Sequence, residues 1–143
     1  EMIYYDRVQT DWPLQMHLQV GSHTPSWCTA SGKLYLSSMG KDRRLKLINN
    51  LPLKQYTRNT ITDPCALDNE LKEIRQTGIG RDQEEFVDGM VACAVPIKSN
   101  QGKLLACLFT HAPVIRKDLN QLLEYLPALR EAAGELSQLI DQP

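Results

Sequence analysis

Met90-Val-Ala-Cys-Ala-Val-Pro-Ile-Lys98, Ser99-Asn-Gln-Gly102 and Lys103-Leu-Leu-Ala-Cys-Leu-Phe-Thr-His-Ala112 follow one another without a break, and this stretch decides the fold class. Two apolar runs of strand length flank a short turn-forming tetrad, the pattern of an antiparallel hairpin. Beyond it the period changes. Leu119, Leu122, Leu126, Leu129, Ala133, Leu136 and Ile140 fall on one stripe, which predicts an amphipathic helix over Leu119–Ile140 packed on a sheet. Pro127 removes an N–H inside it, so a kink or a restart is expected there. Upstream, Asp63 can cap a helix that begins at Pro64, Leu67, Leu71 and Ile74 line one face, and Gly78 closes it. Trp27–Met39 and Lys41–Asn49 also carry helical spacing, with Gly40 as the break between them. Residues 50–63 read as a longer polar connection. Met2–Val8 and Leu14–Val20 are short strand candidates, and Gly21-Ser-His-Thr-Pro25 is a loop. Strands, then helices, then a hairpin and a closing helix predict an α+β domain with an antiparallel sheet and helices to one side.

The bulk numbers set the class. At 143 residues and 42% hydrophobic, the chain suits one domain with a core of its own. Net charge is −1 with both signs interspersed, so there is no basic footprint for nucleic acid. No apolar run approaches the roughly 18 residues of a membrane span, and the first residues do not resemble a signal peptide. Cys28, Cys65, Cys93 and Cys107 form no CxxC pair and are read as reduced thiols of an intracellular, cytoplasmic protein. Met2–Val8 reads as a strand already under way, so the chain is expected to be a piece of a longer polypeptide.

Two segments point to chemistry. Thr29-Ala-Ser-Gly-Lys33 can open a helix with free backbone N–H groups, which suit a carboxylate. It lacks the length and glycine spacing of a phosphate loop. The duller alternative is ordinary capping by Thr29 or Ser31. Asp82-Gln-Glu-Glu-Phe-Val-Asp-Gly-Met90 places an acidic turn before a strand. Its spacing does not match a calcium loop. Glu84 and Glu85 read as a solvated turn, whereas Asp82 follows Gly78-Ile-Gly-Arg and is expected at a strand end, pointing inward. His17, His23 and His111 show no metal spacing. A zinc site drawn from His111, Asp82 and Cys93 can be imagined, but core packing explains the cysteines more simply, so no metal and no cofactor is expected. Ser31 or Cys28 as a nucleophile would need an adjacent base that the sequence does not identify, so no catalytic residue is assigned. The two segments describe a pocket for a small anion without machinery to transform it.

The ordered set Pro25…Thr29-Ala-Ser-Gly-Lys33, Tyr56-Thr…Thr60-Ile-Thr62, Leu71…Ile74-Arg…Gly78, Asp82…Glu84-Glu85…Gly89 and Ala94-Val-Pro-Ile97…Gly102 resembles the IclR family of bacterial transcriptional regulators, specifically their C-terminal effector-binding domain. The resemblance runs from about Tyr4 to Ile140. It implies a GAF- or profilin-like α+β fold occupying residues 1–143 without its usual first helix and strand. It also implies an N-terminal winged helix-turn-helix domain that is absent from this sequence. Such regulators are dimers or tetramers that contact operator DNA through that domain, not membranes, and answer to a small metabolite, often a carboxylate.

In family members resembling the glyoxylate and pyruvate binders, the effector sits against positions matching Ala30 and Ser31, Asp82, and Ala92, Phe109 and His111 on the two following strands. Apolar lining falls on Met16 and Thr24. Small thiol or hydroxyl residues are expected at the positions of Ala92, Phe109 and His111. Here they are a methyl, a ring and an imidazole, which removes hydrogen-bonding groups and favours a larger acid with an apolar or aromatic body. His111 either donates to a second polar group of the ligand or plugs the pocket. The expected mechanism is an equilibrium sensor in which a carboxylate docks near Ala30 and Ser31 while Asp82 accepts from a ligand hydroxyl. Its rivals are a dimerisation module whose pocket is filled by Phe109, and a small GAF-like enzyme using Asp82 or His111 as base.

Overall fold

Nine residues, Met90–Lys98, form the strand around which the molecule is built, and six of them are buried. The computed structural model describes residues 2–8 and 20–140. In chain order these form β1 (Met2–Ile3), β2 (His23–Thr24), α1 (Ala30–Ser37), α2 (Lys41–Asn50), α3 (Pro64–Thr77), β3 (Gly80–Gln83), β4 (Met90–Lys98), β5 (Leu104–Pro113), α4 (Leu119–Leu122), a 3-10 turn at Leu123–Tyr125, and α5 (Leu126–Ile140). Strands β3, β4 and β5 make an antiparallel sheet in that order, and β1 pairs with β2.

Alternation along β4 distributes its side chains to two cores. Ala92 and Ala94 pack with Leu34, Leu36, Leu67, Leu71 and Ile74 of α1 and α3. Val91 and Cys93 pack on Leu122, and Val95 and Ile97 on Ala133, with Leu126 and Leu129 beside them. Helices therefore cover both faces, not one as the element order suggested. A strand that is apolar on both faces, as β4 is over residues 90–97, is the sequence correlate of a doubly covered sheet.

Local signals set the helix ends. Asp63 accepts from the Ala66 N–H at 3.0 Å and Pro64 occupies the first turn of α3. Gly78 ends that helix at φ +71°, a conformation glycine adopts without a Cβ clash. Asp118 and Gln121 close a reciprocal capping box on α4. The chain then tightens into the 3-10 turn, and α5 restarts with Pro127 in its first turn, where the missing N–H costs no helical bond.

Three differences from the sequence reading are local. Trp27–Thr29 lies outside α1, because Thr29 is the cap that starts it. Met2–Val8 contributes only Met2–Ile3 to a strand, since its partner is the pair His23–Thr24 inside the expected loop. At the far end of α5, Leu136 and Ile140 of the expected apolar stripe are exposed. The strand expected at Leu14–Val20 falls outside the described residues, except for Val20 in a turn.

Candidate functional site

Close approach between the start of α1 and the sheet makes the site. A Cβ on Gly80 would lie 2.2 Å from the Ala30 carbonyl oxygen, so only glycine lets that helix end sit on β3. Gly32 is equally constrained, with Ser26 Cα 2.4 Å from where its Cβ would be. Thr29 ties the preceding loop to the helix. Its hydroxyl donates to the Pro25 carbonyl at 2.8 Å and accepts from the Gly32 N–H at 3.1 Å. The next N–H groups, those of Ala30 and Ser31, have no partner among the described residues.

Sheet register brings the strand residues into a row. Asp82 on β3 pairs with Ala92 on β4, which pairs with His111 on β5, and Phe109 stands one pleat along on the same face. With Thr24, Ala30 and Ser31, these side chains line one cavity of about 50 Å³. One water needs roughly 10–15 Å³ by this measure, so the space suits a small molecule. Phe109 lines the cavity and does not fill it. Of the positions singled out from the sequence, Met16 lies outside the described residues. Tyr4, Phe86, Val87 and Met90 also line the cavity and were not anticipated. Tyr4 stacks edge-on against Phe109 at 5.6 Å, and Phe109 against His111 at 5.6 Å. The Ser31 Oγ is buried and has no hydrogen-bond partner among the described residues.

Behind the cavity lies a buried charge arrangement that the sequence did not reveal. Lys33, read only as the end of a motif, is fully buried, with its ammonium 2.7 and 2.9 Å from the two carboxylate oxygens of Glu85 and 3.0 Å from Glu70. Glu85 is therefore not part of a solvated turn; it is 5% exposed. Glu84 sits at φ +54° and accepts from the Gly89 N–H at 2.9 Å, bending the chain between β3 and β4. Thr57 and Thr60, inside the polar connection, each donate at 2.6 Å to the carbonyls of Glu84 and Glu85 respectively. This clamp fixes the turn, and the turn fixes Asp82, which accepts the Glu85 N–H at 2.8 Å.

Burial pushes the Asp82 carboxyl up to about 7, opposed by the Glu85 and Phe86 amides and by Lys33. Burial likewise raises Glu85, with Lys33 pulling it back down. Burial lowers His111, so its imidazole is neutral at neutral pH. Burial, reinforced by Asp82 and Glu85, pushes the Cys28 thiol up to about 12, and burial alone does the same to Cys107. These thiols are poor nucleophiles. Among the described residues the Ser31 hydroxyl is hydrogen-bonded to no base, and no cluster of His, Cys, Asp and Glu suited to a metal occurs. The arrangement can bind and orient a small polar molecule with an apolar body. A second, more open groove of about 480 Å³ runs past Lys98, Arg130 and Ser137.

Against known proteins, residues 1–138 match the family model described as bacterial transcriptional regulator IclR C-terminal. The chain is 43% identical over 136 residues to the probable transcriptional regulator SauR of Cupriavidus necator, covering 95% of this chain and 54% of that protein. Among solved structures, the IclR protein of Thermotoga maritima superposes with TM-score 0.85 at 30% identity, over 98% of this chain and 57% of its own. The inducer-binding domain of PobR from Acinetobacter, a double mutant complexed with 3-hydroxybenzoic acid, superposes with TM-score 0.84 at 30% identity, over 90% of this chain and 75% of its own. The chain spans about half the length of the curated relatives it matches. The matched family is one of transcriptional regulators, not of enzymes. No helix of the described residues is long and apolar enough to cross a membrane.

Proposed function

This chain belongs to the IclR family of bacterial transcriptional regulators, and we propose that its pocket reversibly captures a small organic acid whose binding alters DNA binding by the full-length protein. The observation that carries this reading is the Ser31 hydroxyl, buried at the cavity wall without a partner among the described residues. An unsatisfied buried hydroxyl costs about 1–3 kcal/mol, a penalty that a docked ligand removes. The adjacent Ala30 and Ser31 N–H groups carry the partial positive charge of the helix start and receive the ligand carboxylate. Asp82, across the cavity, accepts from a ligand hydroxyl. Thr24, Ala92, Phe109 and, by the family resemblance, Met16 lie along the ligand body. His111, held neutral, donates to a second polar group. The aromatic lining supports an acid with an apolar or aromatic body, in line with the hydroxybenzoic acid held by the PobR domain.

In the full-length protein this unit follows an N-terminal winged helix-turn-helix domain that contacts the operator, and it works in the cytoplasm as a homodimer or tetramer. The ligand acts through differential affinity for two arrangements of the protein; equal affinity would shift nothing. A melting-temperature screen of organic acids tests the reading. An acid at a hundred times its Kd adds about 2.7 kcal/mol of stability, and that gain disappears in Asp82→Ala. If the two proteins respond alike to every acid, the pocket assignment is wrong. Turnover of a bound acid would instead favour an enzyme, and silence toward all acids a dimerisation module.

A further inference from the structure

We propose that the pocket takes up its carboxylate ligand together with one proton from solution, and that Asp82 holds this proton in the complex. This rests on the organic-acid reading above and adds the charge state of the bound pair. Among the described residues, the cavity wall has no cation to offset a second carboxylate. Its ionisable members among the described residues are Asp82, His111 and Tyr4, and neither Lys nor Arg is among them. Lys33, the nearby cation, is already engaged by both oxygens of Glu85 and by Glu70, which together use the hydrogens an ammonium has to give.

Among the described groups around Asp82, the Glu85 and Phe86 amides and Lys33 favour its ionised form, and none of them is left to offset a second carboxylate. From α1 comes the committed Lys33, and from the loop before it the neutral Cys28 thiol. The turn after β3 brings Glu85, backed by Glu70 of α3, and both are acids. β5 brings the neutral imidazole of His111, and β1 side brings Tyr4, whose phenol burial keeps protonated while Arg7 acts on it from the exposed surface. The start of α1 supplies about half a positive charge, less than one carboxylate carries. Two ionised carboxylates in this apolar space would repel with little screening, and such pairs resolve by protonating one member. Protonation changes the role of Asp82 in the complex: its carbonyl stays with the Glu85 amide, and its other oxygen turns from acceptor of a ligand hydroxyl into an O–H donor to the ligand.

Calorimetric titration of the purified chain with 3-hydroxybenzoate, pyruvate and glyoxylate, in phosphate and in Tris near pH 8, tests this. The expected result is a binding enthalpy that differs between buffers by about one proton taken up per ligand. Affinity should fall about tenfold per pH unit above neutrality. Asp82→Asn, an isosteric change, should bind with no proton uptake and a flat pH profile, while His111→Gln retains the uptake. Buffer-independent heat in the wild type overturns the proton but leaves the binding function standing. Uptake that survives in Asp82→Asn and vanishes in His111→Gln overturns the assignment to Asp82. Absence of heat with every probe overturns the organic-acid reading and this inference with it. The wild-type buffer series decides the first point even if a variant does not fold.

Discussion

Replacing Lys33 by methionine probes the charge arrangement on which the pocket floor depends. Methionine keeps the length and apolar stem but leaves Glu85, 5% exposed, as an unpaired carboxylate. Removing one partner of a buried ion pair costs about 3–5 kcal/mol. The Glu70 contact adds little, since that side chain is 31% exposed and such pairs contribute at most about 1 kcal/mol. Against a domain stability of roughly 5–15 kcal/mol the loss is large, and it corresponds to a fall in Tm of roughly 6–20 °C. Urea denaturation at several pH values is the assay. Burial already holds Glu85 above its ordinary value, and loss of Lys33 raises it further. An acid with a raised folded-state pKa contributes stability that is present below its unfolded pKa and lost as pH rises through the folded one. The variant should therefore sit closest to wild type near pH 5 and farthest from it near pH 8. Adding Glu85→Gln removes the stranded charge and restores most of the loss. A cost under about 1 kcal/mol near pH 8, or an equal cost at both pH values, refutes the reasoning.

Other perturbations probe the surrounding scaffold. Asp82, raised to about 7, contributes stability below its ordinary range that is lost as pH climbs toward about 7; Asp82→Asn should flatten that part of the stability curve and gain on the order of a few kcal/mol near pH 8. Chemical denaturation across pH checks it, and an unchanged slope contradicts it. Gly80→Ala should cost about 1–3 kcal/mol by driving α1 from β3, whereas Gly134→Ala, with open space around it, should gain about 0.5–1 kcal/mol. Equal effects in thermal melts would dispose of the close-approach argument. Thr60→Val strands the Glu85 carbonyl and the Tyr56 and Thr57 N–H groups that its hydroxyl serves, at about 1–3 kcal/mol. Faster hydrogen exchange at Glu85 should accompany it, and unaltered exchange would show that the clamp does not hold the turn.

What the sequence disclosed and what it hid have physical reasons. The ends of α3 and the break at Pro127 were legible because caps, glycines and prolines act over a few residues. The hairpin was legible because turn and flanking strands are contiguous. The second helical layer was missed although β4 carries its trace: residues 90–97 are apolar on both faces, which calls for cover on both, while element order alone suggested one. β3, at 4 residues, is too short for a period to emerge. Lys33 and Glu85 misled because charges normally seek water, and the partner that reverses this lies 52 residues away. The polar threonines 57 and 60 look like loop residues until the carbonyls they serve are in view. The grouping of Ser31, Asp82, Ala92, Phe109 and His111 came from family resemblance, with strand alternation agreeing only for Phe109 and His111. The lining by Tyr4 and Phe86 had no sequence signal, because each reaches the cavity from a segment without clear period.

The most direct measurement is a two-dimensional amide NMR titration of the chain with the organic acid that stabilises it most. The account predicts that the Ala30 and Ser31 amides move most, with Asp82 and His111 next, and that Asp82→Ala abolishes the movement. Perturbations confined to the groove beside Lys98 and Arg130, with Ala30 and Ser31 unmoved at saturation, would contradict it.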